Sequence, residues 1–248
     1  MSAWSPRSGQ GPAPRGPNHA PLGGEAPLSS VVLKTLAKPA GLPVLPPHAD
    51  PGGDCLLRRL LADEPGRGLL PWPSGFEGGL AHRLDVSTSG AVAVADDVEH
   101  LAWLRSCFAS GRLHKRYRLW AARDVPWDAN RCDLSLAHDR RHRGRMVVRR
   151  GARTPHRGRW LQAETCFRRI EGRLWEATMC SGVMHQIRLH AAFLGIPILG
   201  DRRYGGGPTP ADAPGGLSFY LHHMGFEGAG VCTAEVADPC WSSAARCR

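Results

Sequence analysis

One carboxylate stands out by its neighbours. Asp85 lies in His82-Arg83-Leu84-Asp85-Val86-Ser87-Thr88-Ser89-Gly90, between an arginine and a Ser/Thr/Gly turn, with the apolar run Ala91 to Ala95 directly after it. Such a loop can hold a carboxylate rigidly and partly out of water, which suits a nucleophile; a turn-capping Asp beside Ser, Thr and Gly is the plain alternative. Lys115-Arg116-Tyr117 adds a phenol, and His185-Gln186-Ile187-Arg188-Leu189-His190 adds an arginine one helical turn beyond His185. A nearby Arg keeps a partly buried carboxylate ionised and aimed. The chain has no G-x-G-x-x-G, no P-loop and no His/carboxylate metal spacing, and His82, His185, His190, His222 and His223 are scattered. The expected chemistry therefore uses no metal, no redox cofactor and no nucleotide cofactor.

The elements that must position these groups follow from periodicity. Val31-Val32-Leu33 begins the folded part, and Cys55 to Leu61 reads as a short helix. Ala91 to Ala95 reads as a buried strand. Asp96 or Asp97 can then cap a helix carrying Val98, Leu101, Leu104 and Phe108, closed by Gly111. Arg116 to Ala122 alternates as a strand with Tyr117, Leu119 and Ala121 on one face, and Leu174 to Cys180 is another strand. Ser181 is expected to cap a helix with Met184, Ile187, Ala191 and Leu194 inward, ended by Gly195 and Pro197. The pattern predicts an α+β fold, a mostly antiparallel mixed sheet flanked by helices.

Composition narrows the partner. The chain has 248 residues and a formal charge of +10, which favours a polyanion. Residues 138–160 hold nine arginines and three histidines against Asp139 alone, so this stretch is a phosphate-binding arm or a solvated loop. Arg149, Arg150 and Arg153 are its candidate contacts, and Trp160 offers a stacking face or a core ring. Eight cysteines without C-x-x-C spacing read as reduced thiols. Residues 1–28, rich in Pro, Gly, Ser and Ala, are expected to be a disordered tail, with one domain over 29–248. With no charged-then-apolar leader and no apolar run near 18 residues, the expectation is a cytoplasmic monomer away from membranes.

The ordered set of motifs resembles the RluA-type RNA pseudouridine synthases. Lys38 to Val44 comes first, then His82 to Gly90, Lys115 to Tyr117, Ala163-Glu164-Thr165, the His185 to Arg188 segment, Ile196 to Asp201 with Tyr204-Gly205, and Leu221-His222. The resemblance covers residues 31–241. It implies that the chain isomerises uridine to pseudouridine in rRNA or tRNA, with Asp85 as the catalytic carboxylate and Arg188 salt-bridged to it. It further implies that Tyr117 stacks on the uracil and that Leu221 gives the base an apolar wall. Because a phenol near pKa 10 is a poor base at neutral pH, positioning is the better role for Tyr117. A uridine in structured RNA must be flipped out, and Arg83 is a candidate to fill the gap, a scaffold ion pair being the alternative. Relatives usually carry Gly-Arg-Thr before the His-Gln-Ile-Arg segment, where this chain has Gly182-Val183-Met184. That substitution keeps a second reading, a non-catalytic RNA-binding protein on the same fold. A glycosidase ranks last, because it needs a second carboxylate across the site.

Overall fold

The computed structural model describes residues 31–233 together with Pro239 and Trp241. The tail expected over residues 1–28 lies outside the described residues. The strands are β1 (Val31–Leu33), β2 (Thr35–Lys38), β3 (Ser89–Ala93), β4 (His114–Trp120), β5 (Ala129–Cys132), β6 (Leu136–Asp139), β7 (Met146–Val148), β8 (His156–Leu161), β9 (Thr165–Glu171), β10 (Leu174–Met179), β11 (Leu221–Glu227) and β12 (Val231–Thr233). The α-helices are α1 (Leu56–Asp63), α2 (Val98–Ala109) and α3 (Gln186–Phe193). Seven strands form the main sheet in the order β2-β3-β11-β4-β10-β9-β5, antiparallel throughout except for the β3–β11 pair. The α+β fold with a mostly antiparallel sheet is therefore as expected.

Strand β4 lies at the centre of the sheet, and its alternation does what the sequence predicts. Lys115, Tyr117 and Leu119 point to the buried face; Arg116 and Arg118 point to the other, beside Glu176 of β10. Tyr117 and Leu119 join Trp175, Ala177, Ile187 and Ala191 in the main core. Helix α3 packs on the sheet through Ile187 and Ala191. Asp97 caps α2 by accepting a hydrogen bond from the His100 N–H at 2.7 Å, and Gly111 follows with φ 68°.

Two helix expectations fail, for identifiable reasons. Ser181 does not cap α3. Its hydroxyl instead hydrogen-bonds the Gln186 Oε1 at 2.9 Å, and the capping position falls to His185, which adopts a left-handed conformation with φ 58°. Starting four residues late leaves Met184 outside the helix and exposed rather than on its inner face. The Arg-rich stretch is largely loop: seven of its nine arginines lie in the connections 140–145 and 149–155. These connections join the strands of a second sheet, β7-β6-β8, with Leu136, Met146 and Val148 packed on Leu189 of α3 and on Tyr204, and most of the arginines exposed. Trp160 is half-buried on this sheet, its ring 4.3 Å from that of His156.

Gly90 ties the Asp85 loop to the sheet. Its φ is 117°, and a Cβ there would lie 2.1 Å from the His223 carbonyl oxygen. Only glycine lets β3 approach β11 this closely. Gly90→Ala is expected to cost about 3 kcal/mol or more, read as a lower urea midpoint at unchanged slope; an unchanged midpoint would show that the approach is not needed.

Candidate active site

Asp85 sits in a loop fastened at both ends. Ahead of it, His82 accepts the Ala93 N–H at 3.1 Å. Behind it, the Asp85 carbonyl closes a turn with the Thr88 N–H at 3.0 Å. The Val86 carbonyl accepts from the Gly41 N–H at 2.8 Å and from the Lys38 ammonium at 3.1 Å. Lys38 is fully buried and also donates to the carbonyls of Pro39 and Leu42 at 2.9 and 2.7 Å. Burial lowers its pKa to about 8, with Asp85 pulling the other way. The Lys-Pro-x-Gly segment is thus a clamp on the residue that follows Asp85.

Arg188 reaches Asp85 from α3. Its Nη1 donates to Asp85 Oδ2 at 3.1 Å, while Nε and Nη2 grip Asp201 Oδ2 and Oδ1 at 2.7 and 2.9 Å. Asp201 is only 1% exposed and Arg188 9%. The fork-to-fork pair with Asp201 fixes the guanidinium plane, so its remaining Nη1 is aimed at Asp85. Burial alone would depress the Arg188 pKa, but the two carboxylates outweigh it and the net direction is upward. His185 Nε2 stands 3.8 Å from the same Oδ2, and its Nδ1 is 2.7 Å from the Tyr204 hydroxyl, which accepts the Met146 N–H at 3.0 Å. Arg188 and His185, whose imidazole is kept toward the neutral form by burial, therefore both converge on Oδ2. Oδ1 accepts no hydrogen bond from the described residues and is free for a reacting atom.

Helix α3 is held in register by its polar start. Gln186 donates to the Glu164 carbonyl at 2.8 Å and to Thr165 Oγ1 at 3.1 Å. His190 bridges Thr165 Oγ1 and the Leu134 carbonyl, each at 2.9 Å. These bonds place the start of the helix on β9 and so set how far Arg188 reaches.

A cleft of about 1240 Å³ opens over the loop, lined by Asp85, Arg83, Tyr117, Leu221, Lys115 and Arg188 among others. The structure thus brings together all five residues expected to do chemistry or hold substrate. Tyr117 is buried, 4.5 Å ring to ring from His223. Burial, with Asp85 adding, pushes its phenol further above the ordinary value. Leu221 is buried at the start of β11. Arg83 is exposed, and its guanidinium has no partner among the described residues, so the alternative reading of a scaffold ion pair finds no partner there. Arg149, Arg150 and Arg153 are exposed and stand outside the cleft lining. The Arg149 guanidinium lies 5.8 Å from the Trp160 ring centre and that of Arg150 6.0 Å from Phe193 of α3.

Sequence reasoning missed Asp201, His185, Tyr204 and Lys38 as parts of the site. A signal for Asp201 existed: it is the only acid between residues 177 and 211, and a buried helix arginine needs a carboxylate. At Val183 the side chain packs with the cluster under the second sheet, so this position supplies packing and no charge.

The comparisons agree with the geometry. The family model described as RNA pseudouridylate synthase matches residues 33–193. Ribosomal large subunit pseudouridine synthase D of Xylella fastidiosa is 33% identical over 173 residues, 68% of this chain and 48% of that protein. The chloroplastic RNA pseudouridine synthase 2 of Oryza sativa is 33% identical over 131 residues, 52% of this chain and 29% of that one. The chain thus spans half or less of the length of these relatives. Human RNA Pseudouridylate Synthase Domain Containing 1 shares the fold, with a TM-score of 0.61 at 21% identity, over 85% of this chain and 82% of that one. With the match running from β1 to the end of α3, across Asp85, Tyr117 and Arg188, the chain belongs to the RNA pseudouridylate synthase family.

Proposed function

We propose that this protein converts uridine to pseudouridine in structured RNA, with Asp85 as the nucleophile. The observation that carries the reading is the Asp85 carboxylate held through Oδ2 by Arg188, with Oδ1 unengaged in a cleft that also presents Tyr117. The reaction breaks the bond between uracil N1 and ribose C1′ and makes one between C5 and C1′. The C5 proton leaves and N1 gains one. Nothing is oxidised and no water is consumed, so a carboxylate that adds to the base or to the sugar is sufficient. A charge-assisted bond from Arg188 to Oδ2 holds the carboxylate aimed, and Oδ1 makes the covalent bond. Tyr117, its phenol kept protonated by burial, lies against the base as a platform rather than a base catalyst. Leu221 provides an apolar wall. Arg83, unpaired at the cleft mouth, fills the stack vacated by the flipped uridine and offsets part of a cost of a few kcal/mol.

The substrate is rRNA or tRNA, and the Xylella relative's name favours ribosomal RNA. Asp201 does not turn the site into a glycosidase, since both of its oxygens are bound by Arg188 and it is buried. The non-catalytic reading gains nothing from Val183, because the Asp85–Arg188–Asp201 wiring is complete without a cation there.

Asp85→Asn is expected to fold and bind RNA, yet release no tritium from RNA labelled at uracil C5. Retained turnover would remove Asp85 from the chemistry. Arg188→Lys is expected to lose turnover by more than tenfold with RNA affinity nearly intact, since an ammonium cannot hold two carboxylates in one plane. Asp201→Asn breaks the same buried pair and should cost about 3–5 kcal/mol of stability. Wild-type turnover in the Lys variant, or an unchanged melting curve in the Asn variant, would contradict the geometry.

The exposed arginines of the loop between β7 and β8 belong to the RNA interface in this reading. Changing Arg149, Arg150 and Arg153 to Ala should weaken binding and flatten the salt dependence by about two to three units on duplex-like RNA. Turnover at saturating RNA should barely change. An unchanged slope would take this loop out of the interface.

A further inference from the structure

Lys115 is a cation of the cleft lining that takes no part in holding Asp85. It is 8% exposed, on the same face of β4 as Tyr117 and one strand repeat before it. Two residues along a strand are about 7 Å, a base-to-backbone spacing within one nucleotide. Its Nζ lies 4.9 Å from the centre of the Phe108 ring, and a Cβ on Gly182 would stand 3.2 Å from it. Gly182 therefore leaves open the space in front of the ammonium. Among the described residues no carboxylate pairs with Nζ and no carbonyl accepts from it. The titratable groups facing it are His82 and His223, with Tyr117 beside it on β4. Burial holds His82 well below its ordinary pKa and lowers His223 to about 3, so both are neutral; burial also keeps Tyr117 protonated.

An ammonium buried without a counter-charge is costly. The chain has 29 arginines and only three lysines. Placing a compact point charge here, rather than a guanidinium fork, fits a narrow site for a single anion. An anionic group of the bound substrate supplies what the protein withholds.

We propose that Lys115 is a phosphate-binding residue of the cleft, its ammonium receiving a backbone phosphate of the target nucleotide while the base lies on Tyr117. This rests on the uridine-cleft reading above. Burial alone lowers the Lys115 pKa to about 8, so the contact has a pH signature. Phosphate binding favours the charged amine, and affinity should fall as pH rises through 8.

The test compares the wild type with Lys115→Met and Lys115→Arg. Equilibrium binding of total cellular RNA, tritiated at uracil C5 and taken from cells lacking the gene, is measured at several salt concentrations between pH 7.0 and about 8.8. Tritium release is recorded separately. Lys115→Met is expected to weaken binding about tenfold at pH 7. It should lower the salt slope by about 0.7 to 0.9, the value for one phosphate, leave turnover at saturation within about threefold, and abolish the loss of affinity above pH 8. Lys115→Arg should recover part of the affinity without the pH dependence.

Lys115→Met should melt no lower than the wild type, because an apolar end replaces an unpaired ammonium. If it does not fold, the wild-type profile decides alone: affinity constant across pH 8 overturns the proposal. Unchanged affinity and slope in Lys115→Met also overturn it. So does a loss of turnover at unchanged slope, which would place Nζ on the uracil. If the wild type itself releases no tritium, the pseudouridine reading fails, while the salt slope still judges Lys115.

Discussion

The site depends on how a single guanidinium is shared. Arg188 gives two of its donors to the buried Asp201 and one to Asp85. An arginine this buried would be expensive if unpaired, and Asp201 removes that cost while locking the plane. The third donor then has one direction left to it. Asp85 in turn is held by a single oxygen, which leaves the other without a hydrogen bond among the described residues. The two aspartates share one arginine and differ because one lies inside the protein and the other at a cleft.

The rest of the fold serves the two sides of that contact. On the loop side, Lys38 binds three carbonyls and Gly90 lets β3 touch β11, so the backbone on either side of Asp85 is fixed. On the helix side, Gln186 and His190 fasten α3 to Thr165 and its neighbours. Between them His185 accepts a left-handed backbone conformation that costs of order 1–3 kcal/mol for a residue with a Cβ. Its bond to Tyr204 holds it there. Strain of this kind persists only where surrounding contacts over-determine it, and here they include the second sheet through the Met146 N–H.

Much of this was legible in the sequence because local physics decides it. Strict alternation over β4 placed Tyr117 inward, and Asp97 capped α2 because nothing nearby competed for its carboxylate. The start of α3 was misread because Ser181 had a better partner in Gln186, a tertiary preference that capping rules do not contain. The second sheet was hidden because nine arginines obscured the short alternation of Met146 and Val148. Asp201 was visible as a letter in a motif, but its role required knowing that Arg188 is buried. Its partner is set by the turn from Ile196 to Tyr204, a matter of tertiary path rather than spacing.

The chain's family membership is established, and the activity proposed for it is carried by Asp85 Oδ1. The most direct measurement is a map of pseudouridine across cellular RNA in cells with the gene deleted, then restored as wild type or as Asp85→Asn. Expected is at least one uridine that loses modification on deletion, regains it with the wild type and stays unmodified with the Asn variant. A map identical in all the strains, or one restored by Asp85→Asn, would contradict it.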